Sequence, residues 1–82
     1  MTSTASARET VTAALTGKFD VLPEALDPER TLSSLGLESL DVVELIYTVG
    51  RDLDIKIGED EVTPWSTLGE LLALAGAKAG RP

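Results

Sequence analysis

The chain has 82 residues, 43% of them apolar and only 4% aromatic, with fourteen Asp and Glu against seven Lys and Arg for a formal net charge of −7. A chain this short builds one modest core, and its negative field disfavours nucleic acid while favouring basic partner surfaces. Neither His nor Cys is present, which removes the usual neutral-pH general base, disulfides and thiolate metal sites and fits a reducing, cytoplasmic setting.

No apolar run approaches the ~18 residues of a membrane span, and Met1-Thr2-Ser3-Thr4 lacks a signal-peptide pattern. The Ala- and Leu-rich composition favours helices over sheet. Ser6 and Glu9 have capping-box spacing, and Ala7, Val11, Ala14 and Leu15 follow on one stripe. That pattern predicts a first helix over about 6–16, closed by Gly17. Pro23 and Pro28 then predict a long connection, and its apolar residues Phe19, Val21, Leu22, Leu26, Leu32 and Leu35 are expected to pin it across the helices. Gly36 can supply a positive φ just before the next helix.

The second helix, predicted over about 39–53, carries two apolar stripes. Leu45, Val49 and Leu53, with Val42 and Ile46 beside them, read as core. Leu40, Val43 and Tyr47, interleaved with Asp41 and Glu44, repeat on a rotated face that one small core does not need, and they read as a partner-facing patch. After Ile55, Ile57 and Gly58, the run Glu59-Asp60-Glu61-Val62 predicts a one-turn third helix ending near Pro64. Thr67 and Glu70 repeat the capping-box spacing ahead of Leu68, Leu71, Leu72 and Ala75, predicting a fourth helix over about 67–75 or slightly beyond. Residues 1–5 and 78–82 are expected to fray, leaving a single domain over 1–82 with an ordered core of about 6–77.

The stretch Leu35-Gly36-Leu37-Glu38-Ser39-Leu40-Asp41-Val42-Val43-Glu44-Leu45 resembles the phosphopantetheine attachment site of acyl and peptidyl carrier proteins, whose core reads Leu-Gly-x-Asp-Ser-Leu. The resemblance extends over nearly the whole chain, through the long first loop and the Trp65-Ser66-Thr67-Leu68 lead into the last helix. It implies an all-α four-helix bundle of the acyl-carrier-protein type, with three main helices and a short third one. It also implies that a phosphopantetheinyl transferase moves a 4'-phosphopantetheine arm from coenzyme A onto Ser39. Taken alone, Ser39 would read as a helix cap; the motif around it reads as a covalent attachment site at the positive end of a helix dipole.

Two departures from the family pattern carry information. Glu38 stands where the family has Asp, keeping the carboxylate that helps the transferase hold magnesium but adding a methylene that would change transferase preference. Gly50-Arg51 interrupts the acidic face that many fatty-acid carriers continue, which points away from primary fatty-acid synthesis and toward a polyketide or related secondary-metabolite route. Residues 38–61 still hold eight acids against Arg51 and Lys56, and such a surface speeds encounter with basic patches. The resemblance implies acyltransferase, ligase or adenylation, and ketosynthase-type enzymes with basic patches as the partners, docking on Glu38, Leu40, Asp41, Val43, Glu44 and Tyr47. By the same resemblance Ile46, Ile57, Val62 and Trp65 line an acyl-chain cleft, although Trp65 reads more simply as core or core edge.

The start at Met1 and the stop shortly after the last helix suggest a discrete carrier, which is expected to be a monomer. Aminoacyl cargo of a nonribosomal peptide route and an unmodified helical adaptor remain open as alternatives. An enzyme built on a nucleophilic Ser39 would have no His, and no Lys close in sequence, to activate it, so no catalytic activity is expected.

Overall fold

The structure is a computed structural model that describes residues 7–79. Three α-helices form the frame: α1 (Ala7–Lys18), α2 (Ser39–Leu53) and α3 (Leu68–Ala79). Both α2 and α3 pack against α1. α1 contributes Val11, Ala14 and Leu15 to the core, α2 contributes Val42, Leu45, Ile46 and Val49, and α3 contributes Leu68, Leu71 and Ala75. These are the helical stripes expected from the sequence, with Ala7, Leu53 and Leu72 half-buried at the edge. Ser6, expected to cap the first helix, lies outside the described residues.

The helix ends differ from expectation. α1 continues through Gly17 to Lys18, and Asp20 (φ 58°) takes the left-handed conformation beyond its end. The stop comes from tertiary packing: Val21 turns inward and is buried, and its N–H reaches back to the Leu15 carbonyl at 3.0 Å. Asp tolerates this backbone conformation better than most side chains. At the other end α3 runs to Ala79. Lys78, expected to fray, bonds Glu61 at 3.3 Å.

The long connection after α1 is part of the folded body. It contains two single-turn 3₁₀ segments, Pro23–Ala25 and Ser33–Leu35, which no sequence period announced. Leu32 is fully buried, whereas Leu22, expected to pack, is exposed. The loop is stitched to the lead of α3. Leu32 and Ser33 N–H donate to the Ser66 and Pro64 carbonyls at 2.9 and 2.7 Å, and Leu68 and Gly69 N–H donate to the Arg30 and Pro28 carbonyls, both at 2.8 Å. Two N–H groups that the first turn of a helix would otherwise leave unpaired are thereby satisfied. Thr31 and Thr67 add an isolated antiparallel bridge. Thr67 and Glu70 form the expected capping box: Thr67 N–H donates to Glu70 Oε1 at 2.9 Å, and Glu70 N–H to Thr67 Oγ1 at 3.1 Å.

Where a short third helix is expected, residues 58–61 form a single turn, closed by Glu61 N–H to the Gly58 carbonyl at 3.0 Å. Glu61 Oε1 accepts the Gly58 N–H at 2.8 Å, so the side chain competes with helical pairing for the same backbone. That bond foremost, then Lys78, holds the Glu61 carboxyl below its ordinary value. Only Val62 and Thr63 separate this turn from Pro64, which brings no N–H to continue a helix.

α2 ends in a reversal that explains Gly50. Asp54 is left-handed (φ 56°), and Ile55 N–H donates to the Gly50 carbonyl at 2.9 Å. A Cβ on Gly50 would lie 2.9 Å from the Ile55 carbonyl oxygen, a backbone atom. Gly50→Ala is therefore expected to lower stability by about 1–2 kcal/mol, because the overpacking cost exceeds the roughly 1 kcal/mol that Ala gains in helix propensity. A urea midpoint at or above that of the parent would show that the loop yields freely.

Candidate functional site

The second predicted helix and α2 have the same bounds, so the motif residues lie where the sequence placed them. The backbone approaches through Ser33–Leu35 and Gly36, whose φ of 94° reverses the chain as expected for glycine. Leu37 is 3% exposed and anchors the turn from below.

The cap of α2 is Glu38 and not Ser39. Glu38 forms a capping box with Asp41, and its N–H donates to Asp41 Oδ2 at 2.9 Å. The spacing Glu38-Ser39-Leu40-Asp41 carries this signal in the sequence, one residue earlier than the serine that invites the cap assignment. Ser39 is then the first helical residue, exposed, with its hydroxyl bonded to no described residue. A group attached to Oγ projects at the positive end of a 15-residue helix, where a phosphodiester is electrostatically favoured. The residues present therefore fit a phosphopantetheine arm: the acceptor hydroxyl is free and accessible, and the helix terminus suits its phosphate.

Next to Ser39 the rotated stripe is solvent-facing. Leu40 is 82% and Tyr47 74% exposed, while Val43 between them is half-buried. The three acids interleaved with the stripe are less free than their charges imply. Asp41 is occupied in the cap, Glu44 pairs with Lys18 at 3.5 Å, and the exposed Glu38 side chain accepts the Asp41 backbone N–H in the capping box.

The four residues expected to line a cleft are not brought together in one cavity. Ile46, Ile57 and Val62 are buried as core. Trp65 is 75% exposed, so it is neither core nor core edge. Its turn explains this: Ser66 N–H bonds the Thr63 carbonyl, and Trp65 N–H bonds Thr63 Oγ1. With the flanking Pro64 and Ser66 carbonyls both held by Ser33 and Leu32, the segment is fixed with the indole outward. A cleft of about 650 Å³ lies beside the second half of α2 and includes Ile46 and Ile57 in its wall, together with Lys18, Arg51 and Lys56. Sequence reading missed this convergence, because the cations come from three separate segments and no local spacing joins them.

No group of three or more His, Cys, Asp and Glu among the described residues could hold a metal ion. No helix among them is long and apolar enough to cross a membrane.

Comparison with known proteins agrees with the geometry. Residues 9–75 match the family model described as the phosphopantetheine attachment site. An acyl carrier protein of Picosynechococcus is 33% identical over 64 residues, which are 77% of this chain and 79% of the relative. One of Amoebophilus asiaticus is 39% identical over 56 residues, 67% and 70% of the two chains. The polyketide biosynthesis acyl-carrier-protein AcpK of Bacillus subtilis is 38% identical over 61 residues, 70% and 74% of the two. No solved structure matches at a significant level. With a family match over most of its length and relatives of this similarity, the chain belongs to the acyl carrier proteins, which bear covalent 4'-phosphopantetheine and act as carriers, not catalysts.

Proposed function

We propose that the protein carries acyl intermediates on an arm attached at Ser39 Oγ, in a polyketide or related secondary-metabolite pathway. One observation carries the assignment of the attachment residue: the Glu38–Asp41 capping box takes over the structural task open to Ser39, leaving an exposed hydroxyl with no partner among the described residues at the head of α2. The arm supplies a terminal thiol that holds cargo as a thioester, which a chain without cysteine cannot provide itself. Support for the pathway comes from the likeness to AcpK and from Gly50-Arg51, which shortens the acidic face. The chain is then a single domain over 1–82 in which the turn at residues 58–61 stands where the four-helix bundle of the family would have its short third helix. Intact mass after incubation with coenzyme A, magnesium and a broad-specificity phosphopantetheinyl transferase should rise by one phosphopantetheine; an unchanged mass with several transferases would favour an unmodified adaptor.

The partner face consists of Leu40, Val43 and Tyr47 with Glu38, Asp41 and Glu44 around them. The transferase docks there first, followed by acyltransferase, ligase and ketosynthase-type enzymes with basic patches. Exposed apolar residues inside a charged rim suit an interface that must form and release repeatedly. Leu40→Ala and Tyr47→Ala should each lower kcat/KM with a cognate partner by about tenfold, as truncated anchors commonly do, while stability changes by no more than about 0.5 kcal/mol. Raising salt should lower the same parameter by screening the acids. Unchanged turnover in both variants and at high salt would remove this face from docking.

A further inference from the structure

Lys18, in the last turn of α1, reaches across to α2 and pairs with Glu44 at 3.5 Å, the two side chains being 41% and 56% exposed. A lysine here has an ordinary use, since a cation suits the negative end of its own helix dipole. An ion pair this exposed adds little to stability. It does more to the surface than to the fold, because Glu44 belongs to the face of Leu40, Val43 and Tyr47.

The charges along α2 divide in two. Glu38 and Asp41 place a formal −2 at the head of the helix, beside Ser39. Beyond them the sum is zero: Glu44 is balanced by Lys18, and Arg51 by Asp52 at 3.6 Å. Tyr47, between these two pairs, is 74% exposed and adds no charge. On a chain of net charge −7, the docking face therefore shows its negative field over the first turn of α2 alone.

We propose that Lys18 is a specificity determinant of the docking face. By neutralising Glu44 it confines attraction to the Glu38–Asp41 turn. The face then fits a partner enzyme whose basic groups cluster at the mouth of the pocket that receives the arm, with apolar surface opposite Tyr47. An enzyme with a basic strip along the whole of α2 gains nothing from the second half. The inference rests on the docking face proposed above, and it assigns to α1 a part in docking that α2 alone does not contain.

The test uses the full chain and a broad-specificity phosphopantetheinyl transferase, with loading followed by intact mass over a range of carrier concentrations to give kcat and kcat/KM. Melting curves check that each variant is folded. At low salt Lys18→Gln should raise kcat/KM about twofold to fourfold with kcat unchanged, the scale of one uncovered charge facing one or two cations about 10 Å away in water. The gain should vanish in about 1 M salt, where the screening length is about 3 Å. Arg8→Gln makes the same change in net charge at an exposed site of α1, about 15 Å from Lys18 along the helix axis, and should leave kcat/KM at the parent value. Lys18→Gln/Glu44→Gln should return to the parent value, because the charge that Lys18 covers is gone. No gain in Lys18→Gln, an equal gain in Arg8→Gln, or a gain that persists in the double variant or in high salt overturns the proposal. Tyr47→Ala, measured beside them, separates two failures. If it lowers kcat/KM while Lys18→Gln changes nothing, the face stands and the role of Lys18 falls; if it too has no effect, the face falls and the role of Lys18 with it.

Discussion

Ser39→Ala is expected to fold like the parent and to gain no phosphopantetheine at all. The two halves of that result come from different observations. The side chain is exposed, bonds no described residue and sits at the first position of α2, after the cap. Ala is at least as good a helix former as Ser, so the change costs no measurable stability. In the proposed reading, however, the hydroxyl is the nucleophile that accepts the arm, and no Cys is available to replace it. Mass spectrometry of parent and variant after the same transferase incubation, with melting curves alongside, checks both halves. A mass gain in the variant would move the attachment elsewhere; a large fall in melting temperature would mean that Ser39 has a structural duty the geometry does not show. Glu38→Asp belongs in the same experiment. It keeps a carboxylate at the cap, so its loading rate isolates what the extra methylene does for transferase choice.

The sequence pattern was most legible where local period and burial agree. α2 could be bounded at 39–53 because its core stripe is long and strongly periodic, and the same wheel separated Leu40 and Tyr47 from that stripe as solvent-facing residues. The α3 capping box was equally local, with the side chains of Thr67 and Glu70, three positions apart, each accepting the other's backbone N–H. Features set by distant contacts were not legible. The end of α1 follows the inward pull of Val21 and not the glycine at 17. Trp65 looked like core because it is large and apolar, but its outward direction is fixed by the hydrogen bonds of Leu32 and Ser33, more than thirty residues earlier in the chain. Leu22 failed for a related reason: apolar composition says that a loop must pack, yet which of its side chains turn inward is decided by the 3₁₀ turn at Pro23–Ala25. The candidate site divides along the same line. The proposed attachment residue and docking stripe lie on one helix, where spacing alone brings them together, whereas the cleft is assembled from the ends of three segments.

Leu45→Ala should have the opposite signature from Ser39→Ala, with the chemistry intact and the scaffold failing. Leu45 is fully buried at the middle of α2, among the largest side chains that the core excludes from water. Truncation of such a residue costs about 2–5 kcal/mol through lost burial and the cavity left behind. A chain of this size has a total stability of only about 4–12 kcal/mol, so the variant should melt roughly 10–30 °C lower and populate unfolded chains at moderate temperature. Tyr47, two positions further along the same helix, is 74% exposed and should tolerate the same truncation. Comparing the two by thermal melts and by partner turnover separates what α2 does inward from what it does outward. At a temperature where Leu45→Ala remains folded it should still accept the arm, because Ser39, Glu38 and Asp41 are held by backbone contacts at the head of the helix and not by the Leu45 side chain. A Leu45→Ala protein that melts with the parent would mean that α2 is held by its loop contacts and not by its buried face, and the division of this helix into a core side and a docking side would have to be abandoned.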